Sequence, residues 1–271
     1  MNNISFVVAT LNCVEKVPVL KETFSMLNDK GCKLLVSDGG STDGTLKELH
    51  KIVGLEVICS DKDQGIYDAW NKALEFVSEG YVAFIGVDDI PNRKFITRVQ
   101  GVFSEGKVLP KIIFGDRLLK RGKKIRYLKG PKKPELFFGK LPWFDIPHQG
   151  CLHSIDLFKN ARFDASFKLA GDLKFYLQYT RELQDTDVCY LPIIQVIADD
   201  GGISRLPSAY MKYLNEYKRI EKELKISIKY SEINLRAMSM ICKIPGVWLF
   251  LKSVSWFFRG VKSFPYDQKP L

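Results

Sequence analysis

Histidine is scarce and cysteine is scattered in this chain of 271 residues. The three His are His50, His148 and His153, and the six Cys are Cys13, Cys32, Cys59, Cys151, Cys189 and Cys242. No C-x-x-C pair and no His/Cys spacing of a zinc site occurs, which excludes a zinc ribbon and a thioredoxin-type redox pair. Mostly buried thiols in a reducing cytosolic compartment are expected. The chain has no internal repeat and no low-complexity tract. Its first residues, MNNISFVVATLN, lack a basic stretch and run straight into a strand pattern, so no signal peptide is expected. The signatures G-x-x-x-x-G-K-[ST] and G-x-G-x-x-G are both absent, which excludes a P-loop and a dinucleotide fingerprint. The longest apolar stretch, Val247–Val261, carries Lys252 and Arg259 and is too short and too charged to span a bilayer.

What is present is an ordinary globular composition with an uneven charge. The formal net charge is +10. Residues 107–133 hold eleven Lys/Arg and one acid, Asp116, while residues 210–262 hold eleven Lys/Arg against four Glu. The rest is therefore net acidic. An acidic body with two basic patches differs from a uniformly basic nucleic-acid binder. Such patches attract the phosphates of nucleotides, nucleic acids or anionic lipids, or are plain solvated surface. The length suits one large domain, or a domain with an appendage.

Apolar runs at Ile4–Thr10, Lys33–Ser37, Leu55–Ser60 and Tyr81–Gly86 read as strands. Helical spacing falls between them at Val17–Leu27, Thr45–Ile52 and Ile66–Val77. Strands alternating with helices predict parallel βαβ units. Beyond Asp89 the pattern changes. A helix is expected over Asn92–Phe103, and a basic hairpin from strands Ile112–Phe114 and Lys123–Leu128 around Arg121-Gly122. Residues 131–147 read as a Pro- and aromatic-rich ordered loop. Cys151–Phe158 and Leu173–Tyr179 read as helical or partly so, Ile193–Ala198 as a strand before Gly201-Gly202, and the chain from Tyr210 as basic helix.

Three segments carry chemistry. YVAFIGVDD (81–89) is a strand buried on both faces that ends in Asp88 and Asp89, where open α/β sheets bind ligands. Adjacent carboxylates repel and want a cation or several donors, so a hard divalent ion holding phosphate oxygens competes with a simple acidic turn. DGGSTDGT (38–45) joins a strand to a helix through three glycines. An Asp at that strand tip, Asp38, suits an N–H donor such as a pyrimidine ring nitrogen better than a phosphate; the alternative is a capped β-turn. DKDQGIYDAWN (61–71) places Asp61, Asp63 and Gln64 at a third strand end. Asp68 and Asn71 then share one helix face, and Tyr67 and Trp70 another, the aromatics as core.

VVATLN, VSDGGSTDGT, DQGIYDAWNKAL and YVAFIGVDD, in this order and spacing over about 90 residues, resemble family-2 glycosyltransferases of the GT-A fold. HQGCLHSIDLF (148–158) and FDASFKLAGDLKFYLQ (163–178) resemble, more loosely, the acceptor-side half of that family.

The resemblance implies a Rossmann-like α/β fold. Its mixed, mostly parallel sheet would be flanked by helices, with a GT-A catalytic domain over 1–209. Residues 1–106 would bind the nucleotide-sugar, residues 107–209 would face the acceptor, and 210–271 would form a basic amphipathic helical extension. Thr10, Asp38, Asp63, Gln64 and Asp88 would contact the nucleotide, Asp89 would hold a divalent metal (Mn or Mg), and Asp172 would be the catalytic base. His148 and Gln149 would contact the diphosphate or acceptor. His50 reads as a surface helix residue. Two positions depart from the family pattern: Gly86 or Val87 stands where the first Asp of D-x-D is usual, and Gly171 precedes Asp172 where Glu is usual.

The expected reaction is metal-dependent, inverting transfer of a hexose-like sugar from a nucleotide-diphosphate donor, a UDP-sugar first. The acceptor would be a lipid-linked or growing glycan in cell-surface polysaccharide assembly such as lipopolysaccharide O-antigen, capsule or exopolysaccharide. The metal stabilises the diphosphate leaving group, and a carboxylate opposite takes the acceptor proton. Trp248, Phe250, Trp256, Phe257 and Phe258 beside basic residues suit an interfacial helix on an anionic membrane, or a helix packed on the domain. Peripheral placement at the cytoplasmic face of the plasma membrane is expected, with no nucleic-acid partner. Two alternatives stand: a sugar-nucleotide nucleotidyltransferase, which would want a Gly-rich basic loop where Thr10-Leu11-Asn12-Cys13 stands, and a non-catalytic membrane or nucleic-acid module using the basic patches.

Overall fold

A computed structural model describes residues 3–59, 62–105, 108–122, 124–130, 148–180, 183–199, 201, 209–228 and 263–265. Four apolar runs form the parallel strands β1 (Ile4–Thr10), β2 (Lys33–Asp38), β3 (Glu56–Cys59) and β4 (Tyr81–Ile85), in the spatial order β3-β2-β1-β4. In-register pairing sets Thr10 opposite Asp38 and Val8 opposite Ile85. The carboxyl ends of β1, β2 and β4 therefore share one edge, as the crevice rule for open α/β sheets requires.

The strands are apolar on both faces because both faces are covered. Val7, Leu35 and Phe84 point to one side, where they meet Trp70, Phe175 and Ile220. These come from α3 (Ile66–Leu74), α5 (Gly171–Tyr179) and α6 (Ala209–Leu224). Phe6, Val8, Val36 and Ile85 point to the other, against Leu20, Leu49 and Phe95. Those belong to α1 (Val17–Asn28), α2 (Thr45–Leu49) and α4 (Arg93–Ser104). Each such fully buried side chain contributes roughly 1.5–3 kcal/mol.

Beyond β4 the sheet becomes mixed. The additional strands are β5 (Ile90–Pro91), β6 (Ile112–Arg121), β7 (Lys124–Leu128), β8 (Leu152–Ser154), β9 (Val188–Asp199) and β10 (Ser263–Pro265). The path runs β10-β7-β6-β8-β4-β1-β2-β3; β9 joins β6 in parallel, and β5 is antiparallel to β9. The segment Cys151–Phe158, expected to be helical at least in part, is helical only in its second half, a 3-10 turn at Ile155–Phe158, and its first half is the strand β8. Strand pairing wins because Leu152 and His153 fill the gap between β4 and β6, and both are fully buried. β6 also runs past the expected end at Phe114, since Leu118 and Leu119 continue its buried face.

The helix α6 is bound to the body rather than free of it: Leu214 and Ile220 are buried. The expectations for Asp61, the loop 131–147, Gly202 and the aromatic segment 247–261 lie outside the described residues. Among the described residues, no helix is long and apolar enough to cross a membrane.

Candidate active site

Four loops meet at the carboxyl edge of the parallel strands. The loops after β1 and β2 are zipped together. The Asn12 amide oxygen accepts from Thr42 N at 2.8 Å, Asn12 N donates to Ser41 Oγ at 2.8 Å, and Val14 N donates to Asp43 Oδ2 at 3.0 Å. Asn12 takes a positive φ of 47°, a conformation Asn tolerates better than most side chains.

Asp38 is fully buried at the tip of β2. Its Oδ1 accepts from Gly40 N (3.1 Å) and Ser41 N (2.7 Å), and its Oδ2 accepts from the hydroxyls of Thr10 (2.7 Å) and Ser41 (2.8 Å). Thr10 and Asp38 thus form one unit that shapes the glycine loop. Asp63 lies directly beside it. Its Oδ1 accepts from Gly65 N at 3.0 Å, and its Oδ2 sits only 2.4 Å from where a Cβ on Gly39 would be. Glycine at position 39 is required by this close approach. Gln64 is exposed, and its carbonyl accepts from the Lys168 ammonium.

Asp88 and Asp89 follow β4. A Cβ on Gly86 would lie 3.3 Å from Asp88 Oδ1 and 3.2 Å from Asp89 Oδ2, so the two carboxylates lean over the same bare backbone position. The absence of a side chain at Gly86 keeps that space open. The two differ in surroundings. Asp88 is partly exposed and pairs with the Lys16 ammonium at 2.7 Å. Asp89 is only 5% exposed, and its Oδ2 accepts from Gly86 N at 2.7 Å. Burial pushes the Asp89 carboxyl up to about 6, with the Asp88 and Asp199 charges acting in the same direction.

This shift has a stability consequence. In the unfolded chain the Asp89 carboxyl titrates near about 4, so between there and about 6 the folded state binds the extra proton. The stabilisation is fully present below the lower value and is lost as pH rises through the upper one. In chelator, wild type is expected to lose about 2–3 kcal/mol over this window, and Asp89→Asn to lack that loss. Urea unfolding at half-unit pH steps reads the difference.

On the far side of the crevice, Asp172 occupies the first turn of α5. Its Oδ1 accepts from Tyr67 Oη (3.1 Å) and Leu173 N (2.9 Å); Oδ2 has no hydrogen-bond partner among the described residues. Burial raises its carboxyl above the ordinary range, and the two hydrogen bonds partly offset that. The glycine before it has a packing cause. A Cβ on Gly171 would stand 2.7 Å from the Tyr67 ring, so a Glu there would displace the tyrosine that orients Asp172.

The segment leading into α5 is held from α6. The Glu216 carboxylate accepts from Lys168 N (2.8 Å), Leu169 N (3.0 Å) and Ala170 N (2.8 Å), and so occupies the donors just ahead of the helix. Asp68 and Asn71, which share one face of α3, serve structure. Asp68 accepts from Gln64 N, and Asn71 clamps the backbone of Phe163 from both its amide atoms. Tyr67 and Trp70 are core, as expected, and Tyr67 also reaches the site through its hydroxyl.

His148 and Gln149 enter beside the end of β4, where Gly150 N donates to Phe84 O at 2.9 Å. The His148 ring stacks on Phe84 and is 8% exposed, and burial lowers it to about 3, so it is a neutral ring. It can offer a hydrogen bond but no positive charge; Nδ1 meets Tyr176 Oη, and Nε2 has no partner among the described residues. Gln149 is held by Arg117 at 2.8 Å. His153 is buried against Tyr176, and His50 is exposed at the end of α2.

Sequence reasoning did not single out Lys16, Glu216 or Asn12. Lys16 and Glu216 are ordinary charged residues whose partners lie 72 residues away and about 50 residues away, respectively. Asn12 carried a weak local signal as a turn former straight after a strand.

Among curated proteins, the chain is similar to a PGL/p-HBAD biosynthesis glycosyltransferase of Mycobacterium bovis. They are 27% identical over 122 residues, which is 43% of this chain and 47% of that protein. It is also similar to the UDP-Glc:alpha-D-GlcNAc-diphosphoundecaprenol beta-1,3-glucosyltransferase WfaP of Escherichia coli, 29% identical over 91 residues, 33% of this chain and 36% of that one. The match thus spans less than half the length of either relative. Among solved structures, the mannosyltransferase PcManGT of Pyrobaculum calidifontis, in complex with GDP-Man and Mn2+, superposes with a TM-score of 0.57 at 14% identity. That superposition covers 94% of this chain and 74% of that one, and shows a shared GT-A fold. The model of the family described as "Glycosyl transferase family 2" matches residues 5–160. That stretch exceeds half the chain and carries Thr10, Asp38, Asp63, Asp88 and Asp89 on one sheet edge; the chain belongs to glycosyl transferase family 2.

Proposed function

We propose that this protein is an inverting, metal-assisted glycosyltransferase that moves one sugar from a nucleotide-diphosphate donor, a UDP-sugar first, to a lipid-linked or growing glycan. The single observation that carries the reading is the space over Gly86 toward which Asp88 and Asp89 lean, beside the Thr10–Asp38 unit and Asp63. Residues 1–106 would bind the donor and 107–209 the acceptor, with the chain from 210, which α6 opens and which includes the strand β10, as a basic C-terminal extension.

A divalent ion suits these residues. The donors are hard carboxylate oxygens, and the bare Gly86 leaves room between them. Among the described residues no third His, Cys, Asp or Glu joins them, which fits an ion that keeps waters and substrate phosphates in its other positions. When bound, such an ion stabilises the charge that develops on the leaving diphosphate. Asp89, the expected metal ligand, is buried and held by Gly86 N, so in this reading the more exposed Asp88 is the accessible ligand and Asp89 supports it from the turn beneath.

The chain's own residues supply the rest. Thr10, Asp38 and Asp63 frame the pocket for base and ribose, with Gln64 at its rim. Asp172 Oδ2 meets no donor among the described residues and takes the proton of the acceptor hydroxyl. Tyr67 fixes that carboxylate through Oδ1. Attack from the side opposite the leaving group inverts the anomeric centre, and no covalent intermediate on the enzyme is needed. His148 and Gln149 offer neutral contacts to acceptor or donor. The curated relatives act in glycan biosynthesis by name, and one uses a diphosphoundecaprenol-linked acceptor. Such an acceptor agrees with peripheral placement at the cytoplasmic membrane face, through the aromatic and basic residues of 247–261.

The test is release of nucleoside diphosphate from a panel of UDP-, GDP- and dTDP-sugars, with Mn and a membrane lipid extract as acceptor source. Release from one donor class supports the reading. No release and no donor hydrolysis with any of them overturns it.

A further inference from the structure

Lys16 takes no part in the reading above, yet it sits on its central carboxylate. Its Nζ lies 2.7 Å from Asp88 Oδ2. The antiparallel pairing of β5 and β9 sets Ile90 opposite Ile197, which brings the end of β9 toward the turn that follows β4. The Asp199 charge acts on the Lys16 ammonium as well. The Asp199 charge acts on the Asp89 carboxyl too, so Lys16 is a cation in an acidic neighbourhood, with Asp88 as its bonded partner.

The backbone that carries Lys16 is fixed, while its side chain is half exposed on a long stem. Cys13 N donates to Thr45 Oγ1 at 2.8 Å and Val14 N to Asp43 Oδ2 at 3.0 Å, which pins this turn to the loop of the nucleotide pocket. The side chain is 46% exposed and its partner Asp88 is 29% exposed, so water screens the pair and it contributes little to stability. A weak, solvent-screened pair on a long flexible stem is one that a divalent ion can displace. A metal on Asp88 repels the ammonium, and the nearest incoming anion is the diphosphate of the donor.

We propose that Lys16 is a displaceable counter-ion: it neutralises Asp88 in the empty site, competes there with the divalent metal, and turns to the donor's diphosphate once the metal is bound. The proposal rests on the nucleotide-sugar reading and adds a residue that positions the leaving group. It also makes metal and donor binding mutually favourable, because each removes the obstacle to the other.

The experiment is calorimetric titration of MnCl2 without nucleotide into wild type, Lys16→Met and Lys16→Arg, then of UDP and UMP in saturating Mn. Lys16→Met is expected to bind Mn about fivefold more tightly than wild type, because a screened competitor is removed. It is also expected to lose most of the preference for UDP over UMP, while Lys16→Arg keeps it. Equal or weaker Mn binding by Lys16→Met, with UDP binding as in wild type, overturns the role of Lys16 and leaves the transferase reading standing. A wild type that binds neither Mn nor UDP overturns both. Unchanged thermal unfolding of the variants confirms that the comparison is between folded proteins.

Discussion

Asp172→Asn is expected to lower kcat by about a thousandfold, within the range for loss of a general base, while donor binding stays at the wild-type level. Asn keeps the shape of the side chain and can still accept from Tyr67 and Leu173, the two partners of Oδ1. It cannot take a proton at the second position. Because burial raises the Asp172 carboxyl, wild-type kcat should climb with pH through that raised value as the base form appears. The climb should be missing from the variant's residual rate. Steady-state rates from pH 4 to 8, with donor affinity measured separately, decide the matter. A variant with wild-type kcat would remove Asp172 from the chemistry.

Glu216→Ala is expected to destabilise the fold by about 2–3 kcal/mol, since three backbone N–H groups lose a charged acceptor. Those groups precede α5, whose first turn carries Asp172. The same change should therefore cut kcat by about tenfold, the order expected when a positioned base is loosened, and leave donor affinity unaltered. Glu216→Gln, which retains one oxygen acceptor, should recover part of both losses. Urea unfolding together with kcat and KM measures the pair of effects. An unchanged unfolding midpoint in Glu216→Ala would show that the contact does not hold α6 to the body.

The parallel half of the fold was legible because β1, β2 and β4 are buried on both faces and so read as unbroken apolar runs. Glycine-rich ends marked the loops that follow them. Asp38, Asp88 and Asp89 were visible for the same reason, as acids at the ends of apolar runs. The mixed half was less legible. β8 is three residues long, and nothing within CLHSIDLF distinguishes a gap-filling strand from a helical turn. Its structure is decided by β4 and β6 on either side.

The two departures from the family pattern illustrate the limit most clearly. In the sequence, Gly86 and Gly171 are only glycines where the family usually has an acid. In the fold, each is a position where a side chain would strike something: the two carboxylates over Gly86, and the Tyr67 ring against Gly171. Such reasons belong to neighbours distant in sequence. The same holds for Lys16 and Glu216, which are single charged residues without local pattern.

The central claim is that Asp88 and Asp89 hold a metal-bound nucleoside diphosphate at the carboxyl edge of the sheet. Calorimetric titration of UDP, GDP and dTDP, each with and without Mn, into wild type and Asp88→Ala tests it most directly. Asp88 is the better target than Asp89, because truncating Asp89 would leave Gly86 N without its partner. The account predicts Mn-dependent binding of one nucleotide, UDP first, that is lost in Asp88→Ala. Failure of all three nucleotides to bind wild type, or binding that ignores both Mn and Asp88, would contradict it.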